Sequence, residues 1–294
     1  MFSKACTIAR HFTFPIIISH RTANGECGSG IGTFIVINDE GWFVTAFHII
    51  AQLNQLGLAN NEYKTLLERR TEIENNQDLK KHVKMQMLKN NKILPGAINN
   101  FSVWLGWDGV AIGEVFAIPE ADLAVGKLIN FKKEMVTEYP AFKNPNEPME
   151  QGTSLCKLGF PFHSIQPTFD EAVKGFVLPA NSLPIPIFPI EGIYTRTVNL
   201  QDNEKRPFPL MYIETSSPGL KGQSGGPTFD INGAIWAIQS QTHHLKLGFG
   251  DNQKHSKETE HLQNQYLNVG WGTHSLTVTS FLKEKNVAFK YYSH

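Results

Sequence analysis

The chain has 294 residues, 41% of them apolar, and lysine plus arginine balance aspartate plus glutamate at 27 against 27. That length and apolar fraction suit one large all-β domain or two modest ones. A neutral chain lacks the electrostatic footprint that nucleic acid or an anionic membrane selects, so neither is expected as a partner. Three cysteines, Cys6, Cys27 and Cys156, are too sparse a set for a disulfide framework. The 11 histidines are scattered except for His243-His244, whose side chains diverge on regular backbone, so no metal site is expected.

The first residues include two early basic side chains and a short apolar run, 14–19. That run is too short, and is broken by Pro15, for a secretory core or a membrane span. It reads as a first strand, no later segment looks transmembrane, and the cytoplasm is the simplest location. Residues 34–37 and 42–45 flank the turn signal Asn38-Asp39-Glu40-Gly41 and read as a hairpin. The second strand delivers Thr45-Ala46-Phe47-His48 at its end, and a short helix is expected over 49–58.

Residues 60–92 are rich in charge and helix formers, with apolar positions such as Leu66, Ile73, Val83 and Met87 at helical spacing. They read as one or two amphipathic helices inserted into a β scaffold. Strands resume at 101–106 and 110–118, and Asp122 stands at the mouth of an apolar strand in Ala121-Asp122-Leu123-Ala124. The polar, proline-bearing stretch 131–151 marks the boundary between two halves, 1–140 and 141–294. In the second half, strands are expected at 154–161, 173–178, 192–200 and 210–215. The proline-alternating run 183–190 cannot be a central strand. A turn at 228–233 leads to a strand at 234–238. Residues 243–265 read as a long loop, 266–272 as a final strand, and 277–284 as a C-terminal helix capped by Thr277 or Thr279.

Gly219-Leu220-Lys221-Gly222-Gln223-Ser224-Gly225-Gly226-Pro227 places a serine among four glycines. Glycine lets backbone turn sharply and approach a ligand closely. Amides of such a turn can face developing negative charge, which suits acyl transfer. A serine hydroxyl is a weak nucleophile and needs a base and a group that orients the base. His48 and Asp122 are the candidates, in the order His, Asp, Ser. Each has a plainer reading taken alone: a satisfied polar residue, a turn aspartate, a tight turn. Their joint occurrence favours catalysis.

Thr45-Ala46-Phe47-His48, Ala121-Asp122-Leu123-Ala124 and Gly222-Gln223-Ser224-Gly225-Gly226-Pro227 resemble the three signatures of the chymotrypsin-like (trypsin-like) serine protease family, and the chain order agrees. Gly28-Ser29-Gly30-Ile31-Gly32 and Leu158-Gly159-Phe160-Pro161 resemble its bacterial members. The resemblance implies an all-β fold of two six-stranded Greek-key barrels, here with a helical insertion at about 60–92 and a C-terminal helix. It implies a serine endopeptidase acting on protein or peptide substrates without cofactor or metal. His48, Asp122 and Ser224 would be the triad, and the amides of Gly222 and Ser224 the oxyanion hole. Pro218, Ser240, Gln241, Thr242, Gly270 and Gly272 would contact substrate, with Ser240 also bonding the aspartate and 240–242 pairing with the substrate backbone. Pro218 stands where trypsin-like members carry an aspartate, which argues against a basic preference. Gly270 and Gly272 would leave the pocket open to a larger apolar side chain, unless His243 or His244 enters it and favours an acidic one. The alternative is a non-catalytic or latent homologue that binds peptides or is switched on by a protein partner.

Overall fold

The computed structural model describes residues 1–200, 206–247 and 266–293. Helix α1 (Ser3–Arg10) precedes strands β1 (Thr13–Thr22), β2 (Cys27–Val36) and β3 (Trp42–Ala46). Helices α2 (Phe47–Asn75) and α3 (Lys81–Asn90) follow, then β4 (Ile98–Trp104), β5 (Ala111–Ile118) and β6 (Leu123–Ile129). These six strands form one antiparallel sheet in the order β4-β1-β2-β3-β6-β5. The β2–β3 hairpin sits at its centre, and β3 together with the second half of β2, residues 32–36, is buried on both faces. Its turn is set by Gly41 at φ 80° and by Asn38, whose Oδ1 accepts the amides of Glu40 and Trp42 at 3.1 and 3.2 Å.

The remaining strands are β7 (Ala141–Phe142), β8 (Ser154–Gly159), β9 (Thr168–Asp170), β10 (Gly175–Val177), β11 (Phe188–Asn199), β12 (Met211–Thr215), β13 (Pro227–Phe229), β14 (Ile235–Lys246) and β15 (Tyr266–His274). Helix α4 (Ser275–Glu284) and β16 (Lys290–Tyr291) end the chain. Strands β13-β8-β11-β12-β15-β14 pair antiparallel in that order, and β14 pairs back to β13, closing a six-stranded barrel. The parallel strands β7 and β16 extend it, and β9–β10 form a separate ribbon. This mainly β architecture of two six-stranded units with added helices is the one the family resemblance implies. One apolar cluster runs through both units, joining Phe34, Phe43 and Val44 to Phe142, Leu158, Phe229 and Phe281.

Several elements differ from the sequence reading. Helix α1 was not expected; its buried Ala5 and Ala9 lie one turn apart, and Phe2 meets Phe229 edge-on at 6.3 Å. Helix α2 starts at Phe47, so His48 lies in a helix and not at a strand end. It runs unbroken for 29 residues, merging the short helix of 49–58 with the first part of the insertion. No proline interrupts that stretch, and its one glycine, Gly57, is tolerated at a cost of about 1 kcal/mol. Ile49, Ile50 and Leu53 bury its start, and Asn60 Nδ2 donates to Ile98 O of β4. Helix α3 buries no side chain; Arg70 of α2 ties it down through Leu88 O and Asn91 O, both at 3.0 Å. Residues 243–246, read as loop, continue β14 and pair with β15 out to Lys246 opposite Tyr266. Residues 248–265 of that expected loop lie outside the described residues. Strand β11 begins at Phe188, inside the proline-alternating run. No helix among the described residues is long and apolar enough to cross a membrane.

Helix α4 is capped by His274, not by Thr277 or Thr279. Its Nδ1 accepts the Leu276 amide at 2.9 Å. His274 is 4% exposed, and burial pushes its pKa down to about 4. Protonation would both charge a buried ring and remove the acceptor. The unfolded chain takes up this proton at about pH 6.5, earlier than the folded chain. Stability from this residue is therefore full above pH 6.5 and is lost as pH falls toward 4, at up to about 1.4 kcal/mol per pH unit. The denaturant midpoint should drop between pH 7.5 and 5, and His274→Asn should lose less over the same interval.

Candidate active site

Asp122 ends a short 3-10 turn, Pro119–Ala121, in the left-handed region at φ 48° and ψ 43°. Aspartate tolerates that conformation better than most residues. The turn is held by the second unit: Thr273 Oγ1 donates to Ala121 O at 2.6 Å and Tyr212 Oη to Glu120 O at 3.4 Å. The carboxylate thus arrives at the N-terminus of α2, where the helix dipole and unpaired amides favour negative charge. Ala46, the N-cap residue, has no side-chain acceptor to offer. Asp122 Oδ1 supplies the missing cap by accepting the His48 amide at 2.8 Å. The same carboxylate faces His48 Nδ1, at 2.9 Å to Oδ2 and 3.1 Å to Oδ1. Ser240 Oγ donates to Oδ2 at 2.6 Å. One carboxylate therefore fixes both the backbone and the ring of His48.

The serine turn is braced against the first sheet. The Thr33 amide of β2 donates to Ser224 O at 2.9 Å, and Thr33 Oγ1 to Gly222 O at 2.6 Å. Thr45 Oγ1 of β3 in turn donates to Thr33 O at 2.7 Å. Gly225 has φ 83°, and a Cβ there would overlap Thr33 O and Thr45 Oγ1. A Cβ on Gly226 would overlap Leu158 O. Among the described residues, the amides of Gly222 and Ser224 have no protein acceptor. Ser224 Oγ donates to Ser240 O at 3.3 Å, and no hydrogen bond links it to His48 among the described residues.

Two clefts meet at His48. One, of about 450 Å³, is lined by residues including Phe47, Tyr212, Ser240, Gln241 and Trp271. The other, of about 240 Å³, is lined by residues including Gly30, Gln52, Lys221, Gly222 and Ser224. Strand β13 pairs with β14 only as far as Ile238, so Ser240-Gln241-Thr242 runs on without a strand on that side. Trp271 is anchored through Nε1 to Glu214 Oε2 at 3.0 Å. Burial raises the Glu214 pKa, but hydrogen bonds from Arg196, Trp271 and Thr195 outweigh it and hold the carboxyl below its ordinary value.

The expected pocket glycines are placed differently from the sequence reading. A Cβ on Gly272 would meet Ala237 Cβ at 2.9 Å, so that residue packs inside the barrel wall. The space that Gly270 leaves open is taken by Lys157 Nζ. This ammonium, on a side chain 1% exposed, donates to Ser217 O, to Ser217 Oγ at 3.0 Å and to Pro218 O at 3.2 Å. Burial pushes its pKa down to about 7. Neither histidine fills that space: His243 stacks on Trp271 at 3.8 Å, and His244 Nδ1 meets Asn268 Oδ1 at 2.6 Å. Thr33, Thr273 and Lys157 escaped the sequence reading, because isolated threonines and a lysine in a strand carry no motif; Thr45 stood in the histidine motif, but its bond to Thr33 O carried no sequence signal. Among the described residues no three His, Cys, Asp or Glu side chains converge to hold a metal ion.

The fold and the site define a two-unit β protein with an Asp-oriented histidine and a glycine-bound serine at the junction. Its similarity to solved structures extends over nearly the whole chain. The active form of the Rv3671c protease from M. tuberculosis matches with a TM-score of 0.48 and 13% identity, over 98% of this chain and 86% of that one. The HtrA-type protease AlgW, solved with a tripeptide, matches with a TM-score of 0.47 and 13% identity, over 97% and 63%. The inactive form of Rv3671c matches with a TM-score of 0.43 and 14% identity, over 96% and 92%. No protein-family model matches the chain. No curated protein matches it either.

Gly225→Ala should add both a strained positive φ and a backbone clash, costing about 2–4 kcal/mol. Thermal unfolding should show a midpoint several degrees lower, and an unchanged midpoint would contradict the close approach of β2 to the serine turn.

Proposed function

We propose that the chain is a serine endopeptidase that cleaves peptide bonds through His48, Asp122 and Ser224. The observation that carries this reading is the Asp122 carboxylate on His48 Nδ1, with His48 also lining the cleft that holds Ser224 and two amides unpartnered among the described residues. With Nδ1–H donated to Asp122, His48 Nε2 is left as a proton acceptor. Rotation about the Ser224 Cα–Cβ bond carries Oγ from Ser240 O toward that nitrogen. Oγ attacks the substrate carbonyl as Nε2 takes its proton, and the oxyanion is met by the Gly222 and Ser224 amides. His48 then protonates the leaving amine, giving an acyl-enzyme. Water, deprotonated by His48, releases the acid product. Asp122 stabilises the imidazolium throughout, and Ser240 holds the carboxylate in place. Substrate backbone lies along Ser240-Gln241-Thr242 as an added strand.

The resting hydrogen bond from Ser224 Oγ to Ser240 O favours a second reading, a latent protease that a protein partner switches on. The α2–α3 segment is the element such a partner would engage, since His48 lies in the first turn of α2. Labelling by a fluorophosphonate separates the two. A ready site is labelled in the wild type and unlabelled in Ser224→Ala, and Asp122→Asn labels on the order of 1,000-fold or more slowly. A folded wild type that resists labelling points to latency, and labelling that survives in Ser224→Ala contradicts the assignment of the nucleophile.

A further inference from the structure

Beside Ser224 the chain has filled the space into which the side chain of the substrate residue before the scissile bond would descend. Lys157 Nζ occupies the room left by Gly270. Gln239, a side chain 1% exposed, occupies the room left by Gly219, and its Nε2 donates to Gln241 O and Trp271 O, both at 3.1 Å. Thr242 Oγ1, reaching from β14, donates to Gly219 O at 2.7 Å and so ties one wall of this space to the other. Both fillers are held by protein acceptors, so neither swings aside without leaving buried polar groups unpaired.

We infer that Thr242, backed by Gln239 and Lys157, closes this pocket at a shallow depth and restricts the chain to substrates with a small uncharged residue, of the alanine or serine class, before the scissile bond. The inference rests on the protease reading and adds its substrate class. A large apolar side chain meets the Thr242–Gly219 bridge. An arginine or lysine would also approach the buried Lys157 ammonium, which has no carboxylate partner among the described residues. A glutamate would be attracted by that charge but is stopped by the same bridge.

Quenched-fluorescence peptides differing only at this position test it, with Ala, Phe, Arg and Glu compared on the wild type and on Thr242→Gly. The wild type should cleave the Ala peptide with kcat/KM at least tenfold above the other three. Thr242→Gly should raise the ratio of Phe-peptide to Ala-peptide kcat/KM severalfold, and an unchanged ratio overturns the role given to Thr242. A wild type that prefers Phe, Arg or Glu overturns the inference and leaves the protease reading intact. Product peptides ending in Ala or Phe, titrated into Ser224→Ala, read the same pocket without chemistry. Tighter binding of the Ala peptide supports the inference even in a latent enzyme, and equal or reversed binding overturns it. Binding of neither peptide, with no fluorophosphonate labelling of the wild type, fails the protease reading and the inference together.

Discussion

The serine turn exists in this form because two backbones touch without a side chain between them. Gly225 and Gly226 press against Thr33 O and Leu158 O at distances that no Cβ would permit. The contact is then locked by the Thr33 amide on Ser224 O and the Thr33 hydroxyl on Gly222 O. Strand β2 of the first sheet thereby sets the position of a turn that belongs to the second barrel. Interiors packed this closely do not deform gradually, so the geometry of the turn and the docking of the two units are one property.

Asp122 works across the same junction in the opposite direction. It belongs to the first sheet, but Thr273, Tyr212 and Ser240 of the second barrel hold its turn and its carboxylate. Its charge serves as the cap that α2 lacks and as the partner of the His48 ring. The group that starts the helix is therefore also the group that orients the His48 ring. The long α2–α3 segment grows from this point and packs on β4 about three turns further on, at Asn60.

Much of the site was legible because its chemistry needs rare residue combinations. A serine within Gly222-Gln223-Ser224-Gly225-Gly226, preceded in order by His48 and Asp122, has few structural explanations. Ser240 was legible only through the family resemblance, which implies an aspartate-bonding serine at that count after the serine turn. The β2–β3 hairpin was legible from its turn residues and β-branched runs. Helix α1 was not: its eight residues are amphipathic, but so short a helix is marginal by itself and forms here because Ala5 and Ala9 are buried against the rest of the chain. The merging of α2 was hidden because the short helix and the insertion differ in composition, and only the absence of a breaker between them decides continuity. The cap of α4 went to His274, a residue type with weak cap preference, because burial made its ring nitrogen a reliable acceptor.

Sequence alone determined the mainly β class, the helical insertion and the serine turn, since local glycine, proline and β-branched patterns carry that information directly, and the order His, Asp, Ser singled out His48 and Asp122 as candidates. Tertiary structure alone decided how the pocket is filled. Gly270 reads as open space in the chain, yet Lys157, 113 residues earlier, occupies it. Thr242 reads as a substrate contact in 240–242, yet its hydroxyl ties β14 to Gly219. A glycine reports only that a side chain is absent; what enters the vacated volume depends on which distant strand lies behind it, and that is settled by barrel closure and register.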